Sequence, residues 1–584
     1  MGITKKILNL LNFLFSLSAI GTLIWFHGYE YKIYYLQPHS VYLHISFGFF
    51  VVQFVIRAYL SKDFMGYVRN NRLECLLFIF LLLEIGLNTI TGYSITWTLL
   101  SSTGLTGNNH LYILTLHIVL LIIVGFELGK ASARSTIWKL SPPLLFILSF
   151  IVLIIVGSSL LMLPEMTNPG STLNFIDAFF TSVSASCVTG LSVVETSTCF
   201  SIKGKILILI LIQIGGLNII AFATYFITFY RRKFLENKNL NSVNEILHTS
   251  HISETKNMIK MVVLTSLIIE LIGTIFLYYQ WGESLQFSNL KEQLFYSVFH
   301  SVSAFNNAGF TLFTDGFTNP IVQNSYYLHI TIALLVILGG IGFTTIGETF
   351  RFGNIINYFR RRETTFSLQS RISLISSLVL ILLGTVLFYG IERSGVLSDM
   401  NLTESMITSF FQSVTSRTAG FSTVDFGSVS VLTLIVLMVF MFIGASSGST
   451  GGGIKTSTFA VLLIGALKAK KRRSNYGKSF LTNKLVKKAF SILVYSIIVI
   501  SFGTLILIIS EPEKAISQLI FEEVSAFGTV GLSTGITSSL SSTGKIVIII
   551  SMIIGRIGPL ALAYSMIRTV STSDEKEKDG IMLG

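Results

Sequence analysis

The chain has 584 residues, of which 51% are hydrophobic and only 12% charged, with a mean hydropathy of +0.71. A soluble chain of this length would divide into several polar-surfaced domains; apolar runs long enough to cross a bilayer describe an all-α polytopic membrane protein instead. The formal charge of +13 would suit a nucleic-acid partner, but Lys and Arg cluster in short loops between apolar runs, so charge here reports membrane topology and no nucleic acid is expected.

Four apolar runs come first, over about 7–26, 40–60, 74–92 and 111–129, and form a predicted transmembrane module at 1–135. Lys5 and Lys6 precede the first run, which is longer than a signal-peptide core and lacks a small-residue cleavage site, so it reads as a retained helix. Lys62, Arg69 and Arg72 lie between the second and third runs, and Lys130, Arg134 and Lys139 follow the fourth. Only Lys32 separates the first two, and 93–110 has no Lys or Arg. Both ends of the module are therefore predicted cytoplasmic. The fourth run has no arginine, which excludes a voltage sensor. Arg57, Glu84, His117 and Glu127 lie in or near these helices and need a partner, water, or a snorkelling route to the interface.

From residue 140 the pattern is helix, short polar half-helix, glycine loop, helix, four times over, with repeats at 136–235, 236–362, 363–475 and 476–584. The outer helices are predicted at 143–163, 258–279, 372–391 and 489–509. Half-helices follow at 173–186, 290–305, 403–416 and 514–527, then inner helices at 206–230, 326–350, 431 onward and 546–567. The loops, 187–191, 306–310, 417–421 and 528–532, contain Gly190, Gly309, Gly420 and Gly531, which are 119, 111 and 111 residues apart. Ten residues before each glycine stands a phenylalanine: Phe180, Phe299, Phe410 and Phe521. Two residues after it stands a hydroxyl: Ser192, Thr311, Ser422 and Ser533. The half-helices are too short and polar to cross the bilayer, and irregular backbone at membrane depth belongs beside an aqueous path. Basic clusters follow the first three repeats (Arg231-Arg232-Lys233, Arg360-Arg361-Arg362 and 468–473); after the fourth, 568–578 is mixed in charge. The repeats are thus parallel, with the glycine loops entering from outside, which favours a pseudo-fourfold pore over a rocking transporter with inverted repeats.

The C-terminal end of each half-helix carries partial negative charge toward the loop beyond it. Loop carbonyls would supply direct ligands, and the candidates are Val188, Thr189 and Gly190; Asn307, Ala308 and Gly309; Thr418, Ala419 and Gly420; and Thr529, Val530 and Gly531. Oxygen ligands without clustered carboxylates suit a monovalent cation better than Ca²⁺ or Mg²⁺. An anion pore would be lined by Arg or Lys at its narrowest point, and only Arg417 qualifies, in one loop of four. The fourth loop, Thr529-Val530-Gly531-Leu532, resembles the TVGYG loop of potassium channels.

With these loops in place, residues 140–570 resemble the pore-forming subunits (TrkH/KtrB-like) of the Trk/Ktr/HKT potassium transporter family, whose fold is four helix–pore-loop–helix repeats in one polypeptide. In that family glycine in all four loops accompanies K⁺ selectivity, and serine in the first accompanies Na⁺ in some members, so Gly190 implies K⁺ held at Gly190, Gly309, Gly420 and Gly531. The third inner helix is interrupted by GASSGSTGGGIKT, residues 444–456, with too many glycines for an unbroken helix. The resemblance makes this stretch the gate, with Gly444, Ser447, Gly448, Gly451, Gly452, Gly453 and Lys455, and places Arg556 of the fourth inner helix beside it. A helix-packing site is the alternative reading of the glycines, and for Arg556 snorkelling or a buried ion pair. Glycines recur at Gly215-Gly216, Gly339-Gly340 and Gly555. Ala445 and Asn218 depart from the family, which often has glycine there.

The same resemblance implies a homodimer in the bacterial cytoplasmic membrane, K⁺ as substrate, no covalent cofactor, and a cytosolic nucleotide-binding regulatory ring (TrkA/KtrA-like) docked on the basic inner loops. Cys75, Cys187 and Cys199 form no metal spacing; Cys187 is expected to pack behind its loop, with a disulfide to Cys199 as the weaker alternative. His248 and His251 lack a third ligand, and there is no GxGxxG or Walker A sequence, so the chain does not read as an enzyme. A sodium-coupled or Na⁺-permeable carrier on the same fold is the alternative, and a membrane-embedded enzyme a remote one.

Overall fold

The computed structural model describes residues 2–29, 36–61, 64–91, 110–134, 142–230, 252–281, 287, 289–349, 366–470 and 483–558. The basic clusters at 231–233, 360–362 and 471–473, the tail at 568–578, Lys32, Lys139, His248, His251 and the 92–109 connection lie outside them. The chain forms two compact units, Met1–Lys139 and Leu140–Gly584.

The first unit holds α1 (Gly2–Gly28), α2 (Leu36–Tyr59), α3 (Phe64–Asn70), α4 (Arg72–Thr91) and α5 (His110–Arg134). Leu23, Phe47, Phe50, Phe78, Leu116 and Leu120 pack into one core. Arg57 finds its partner inside the unit, in Glu127 at 2.8 Å, and Asn12 donates to the same carboxylate. Glu84 is buried. His27 Nε2 lies 3.0 Å from His117 Nδ1.

The second unit repeats one motif. Its outer helices are α6 (Pro142–Leu161), α10 (Ile252–Gln280), α15 (Leu368–Glu392) and α19 (Asn483–Ser510). Its half-helices are α7 (Phe175–Cys187), α11 (Leu290–Phe305), α16 (Leu402–Thr415) and α20 (Ile516–Gly528). The inner helices are α9 (Ile202–Tyr230), α13 with α14 (Tyr326–Ile341, Phe343–Thr349), α17 with α18 (Val431–Phe442, Thr456–Lys470) and α21 (Ser542–Ile557). Short α8 (Thr196–Cys199) and α12 (Pro320–Gln323) lie in the segments after the first two loops. Among the described residues, four helices are long and apolar enough to cross a membrane: α1 and three outer helices, over Leu10–Gly28, Lys260–Gln280, Leu368–Glu392 and Leu485–Ser510.

Polarity is distributed as a lipid solvent demands. Leu271, Phe276, Leu382 and Phe502 on the outer helices are exposed, whereas Ser182, Ser184, Ser301, Ser303, Ser413 and Ser525 of the half-helices are fully buried. With lipid outside, helix association rests on close packing and hydrogen bonds. Each outer helix supplies a glycine for this: Gly157 lies against Ser182, Gly273 against Ser301, Gly384 against Ser413 and Gly503 against Glu523. The first three serines donate to outer-helix carbonyls of Ile154 (2.8 Å), Glu270 (2.6 Å) and Ile381 (2.8 Å).

Four apolar clusters close the unit into a ring. Leu161, Phe200 and Ile212 meet Phe299 and Phe310 between the first two repeats. Trp281 and Phe317 meet Phe411 and Phe421 between the second and third. Phe388 and Met441 meet Phe521 and Val530 next, and Leu519 and Met552 meet Phe150 and Phe180 to complete the circuit.

Two expectations change. The second inner helix does not run unbroken over 326–350: it stops at Ile341 and restarts at Phe343 around Gly342, φ 102°. The fourth is interrupted after Ile557, at Gly558 with φ 84°, and the rest of its expected span, 559–567, lies outside the described residues. In the third repeat the fully buried aromatic is Phe411, and Phe410 is only half-buried.

Candidate functional site

The four half-helices end at four loops that share one backbone. The residue two before each glycine has a left-handed conformation: Val188 (φ 56°), Asn307 (60°), Thr418 (83°) and Thr529 (48°). The glycines follow at 94°, 70°, 73° and 96°. A non-glycine residue held there costs on the order of 1–3 kcal/mol, and such strain gathers at functional sites.

The loop N–H groups turn back onto their own half-helices. Thr189 N–H donates to Ser184 O (2.8 Å), Ala308 to Ser303 O (2.8 Å), Ala419 to Thr415 O (3.0 Å) and Val530 to Ser525 O (2.9 Å). Gly190 and Gly531 N–H donate to Ser184 Oγ and Ser525 Oγ, both at 3.1 Å. N–H and C=O point oppositely across a planar trans peptide. Tying down these donors therefore turns the carbonyls of Val188, Thr189, Asn307, Thr418, Thr529 and Val530 away from the helices.

The loops also meet one another in strict rotation. A methyl group on Gly190 would lie 2.6 Å from Ala308 O and 3.0 Å from Gly309 Cα. On Gly309 it would lie 2.8 Å from Ala419 O; on Gly420 it would strike Val530 O, and on Gly531, Thr189 O. The ring closes on itself, with each glycine beside the carbonyl that precedes the next. The polypeptide thus brings all twelve candidate loop residues together, and any side chain at the glycines would displace the neighbouring backbone.

Three inner helices press glycines onto the half-helix ends: Gly215 against Ser186 O, Gly339 against Phe305 O and Gly555 against Phe527 O. The third inner helix breaks instead. Between α17 and α18, Gly444 N–H donates to Ile454 O (3.0 Å) and Thr456 N–H to Ala445 O (3.3 Å), closing residues 444–455 into a loop. Gly448 and Gly453 take positive φ. The loop bonds to the second, third and fourth repeats. Ser446 and Thr450 N–H donate to Gly340 O (3.0 Å) and Gly339 O (3.3 Å), and Phe343 N–H donates to Gly448 O (2.9 Å), which is why the second inner helix breaks at Gly342. Gly452 N–H donates to Thr529 Oγ1 (3.0 Å), and Gly451 packs against Thr418. Arg556, 5% exposed, donates one guanidinium nitrogen to Thr450 O and another to Gly215 O. Lys455 Nζ donates to Gly451 O, and Ser447 Oγ lies 2.7 Å from Ser457 Oγ.

Arg417 is buried, and its guanidinium donates to Ser377 O (3.4 Å) and Ser377 Oγ (3.1 Å) on outer helix α15. Cys187 is buried behind the first loop, and it and Cys199 are free thiols. Sequence reasoning overlooked a cluster behind the second loop, where Asn306, Gln213 and Glu270 bond to one another, and Glu523, which takes the place of a serine in the fourth repeat and accepts from Ser551 at 2.5 Å. The available signal was a carboxylate inside an otherwise apolar or hydroxyl-rich helix.

Residues 117–575 match the model of the TrkH family, described as a cation transport protein. The chain belongs to that family. This TrkH-family chain is 37% identical over 447 residues to the Ktr system potassium uptake protein B of Vibrio alginolyticus, covering 76% of this chain and 95% of that one. It is 38% identical over 443 residues to the protein of the same name from Bacillus subtilis (74% and 94% covered), and 33% over 462 residues to the potassium/sodium uptake protein NtpJ of Enterococcus hirae (76% and 98%). Its fold is similar to that of the potassium transporter TrkH from Vibrio parahaemolyticus, with a TM-score of 0.59 at 20% identity, covering 84% of this chain and 97% of that one. Membership of a transport family makes the TrkH-family chain a membrane transporter, not an enzyme.

Proposed function

We propose that the chain carries K⁺ into the cell across a bacterial cytoplasmic membrane, as a pore-forming subunit with one conduction path per chain. The closed ring of four glycine loops carries this reading. Its carbonyls face away from four helix C-termini, whose partial negative charge favours a cation, and oxygen dipoles replace the hydration shell of a monovalent ion. Val188, Thr189, Asn307, Ala308, Thr418, Ala419, Thr529 and Val530 would supply the oxygens together with Gly190, Gly309, Gly420 and Gly531. The names of the relatives, K⁺ uptake proteins at 37–38% identity, support K⁺ as substrate.

Residues 444–455 act as the gate. Bonds to three repeats, with Arg556 linking the loop to the first, let one loop close the path, and Lys455 and Arg556 add positive charge where a cation must pass. Repeats at 136–235, 236–362, 363–475 and 476–584 form the pore, the module at 1–135 precedes them in sequence, and both termini are cytoplasmic. The subunit works as a homodimer under a cytosolic nucleotide-binding ring.

A second reading, Na⁺-coupled or Na⁺-permeable transport, is favoured by the potassium/sodium name of one relative. Flux into liposomes separates the two. The K⁺ reading expects Rb⁺ and K⁺ uptake without Na⁺ and little Na⁺ entry; uptake that requires a Na⁺ gradient, or equal Na⁺ flux, favours the second.

A further inference from the structure

The backing of the second loop is built unlike that of the other three. At the position three before the ring glycine the loops carry Cys187, Asn306, Arg417 and Gly528. Asn306 is fully buried and sits at the junction of two repeats. Its Nδ2 donates to Gln213 Oε1 of α9 (2.9 Å), Glu270 Oε1 of α10 (3.1 Å) and Val302 O (2.9 Å). Gln213 Nε2 donates to the other Glu270 oxygen at 3.2 Å. Gly216 leaves the room this needs, since a methyl group there would lie 2.6 Å from Asn306 Cγ. Glu270 is 5% exposed, and both its oxygens are used as acceptors. The next residue, Asn307, is left-handed, and its side chain meets Thr418 Oγ1 of the third loop at 3.2 Å.

We infer that Glu270 is a positioning residue for ion selection: through Asn306 it fixes the second loop, and through Asn307 the spacing of the second and third. The inference rests on the ring being a cation filter. A buried carboxylate with two amide donors is costly to desolvate and costly to unpair, so its retention in an apolar outer helix has to be explained by what it holds. Structural packing alone would need only a neutral group of the same shape. The hydrogen bonding needs more, because a glutamine at 270 turns one N–H toward another N–H, and loses one bond to a charged acceptor.

The test is Rb⁺ uptake by the full-length chain in liposomes, comparing wild type, Glu270→Gln and the exchange Glu270→Gln/Asn306→Asp, which moves the acceptor to the loop and the donor to the outer helix. E270Q should raise the Rb⁺ KM roughly tenfold and lower the K⁺/Na⁺ flux ratio comparably, the size of one lost hydrogen bond to a charged group; the exchange should recover most of both. Wild type selective but E270Q within about twofold of it would overturn the inference, as would an exchange no better than the single variant. Should E270Q not fold, recovery of folded, selective protein in the exchange supports it and failure of the exchange overturns it. A wild type without K⁺ preference would instead sink the filter reading.

Discussion

In the first, second and fourth repeats the half-helix residue packed on the outer-helix glycine stands eight positions before the ring glycine, as Ser182, Ser301 and Glu523 do. In the third repeat it is Ser413, seven before Gly420. One residue is missing from that turn, and the loop amide of Ala419 reaches Thr415 where its counterparts reach one residue further back. Thr418 and Gly420 nevertheless hold the same left-handed conformations as in the other loops. The third repeat is also the one whose inner helix is interrupted by a long loop, between Phe442 and Thr456. Backbone geometry at the ring is therefore kept while packing behind it varies, as expected if four loops must present equivalent oxygens and one repeat must also move.

The sharpest way to break that comparison is at the ring itself. Gly420→Ala should be as damaging as Gly309→Ala, each reducing Rb⁺ uptake about 100-fold, the scale for angstrom-level misplacement of reacting or binding groups. A mild effect at Gly420 alone would mean that the third loop is not an equal member. Next comes the shift in register. Phe411→Ala should cost about 3–5 kcal/mol, as for a buried aromatic, and half-buried Phe410→Ala clearly less, read as thermal unfolding in detergent; equal costs would restore the uniform ten-residue spacing.

The proposed gate should respond in the opposite direction. Removing residues from 444–453, or making Arg556→Gln, should raise flux roughly tenfold by removing hydrogen bonds that hold the loop shut; unchanged or lost flux in folded protein contradicts a gate. The smallest effect is expected for Ser377→Ala, which takes away the side-chain acceptor of Arg417 and should lower stability by about 1–2 kcal/mol. No change in melting temperature would mean that Arg417 finds another partner.

The fold was legible because its signals are periodic: apolar runs, four glycine loops and the polar half-helices before them. Half-helix 290–305 emerges with the expected ends, and the four ring glycines lie against one another's loops. The one-residue deletion before Gly420 was hidden because Phe410 and Phe411 adjoin, so counting back ten always finds a phenylalanine. The break at Gly342 was hidden too, since its cause is a hydrogen bond from Phe343 to Gly448, more than a hundred residues away. Nor does a lone Glu270 in an apolar run announce Gln213 and Asn306, which tertiary packing supplies. The same holds for Arg57, whose partner among the other three ionisable residues is fixed only by helix packing.

The central claim, that the four glycine loops make one cation site, is tested most directly by anomalous diffraction from crystals of the full chain grown with Rb⁺ or Tl⁺. A peak is expected enclosed by the carbonyls of Thr189, Ala308, Ala419 and Val530, and it should be lost when Rb⁺ or Tl⁺ is replaced by Na⁺ alone. Ordered protein with no peak within that ring, or with heavy-ion density only elsewhere, would contradict it.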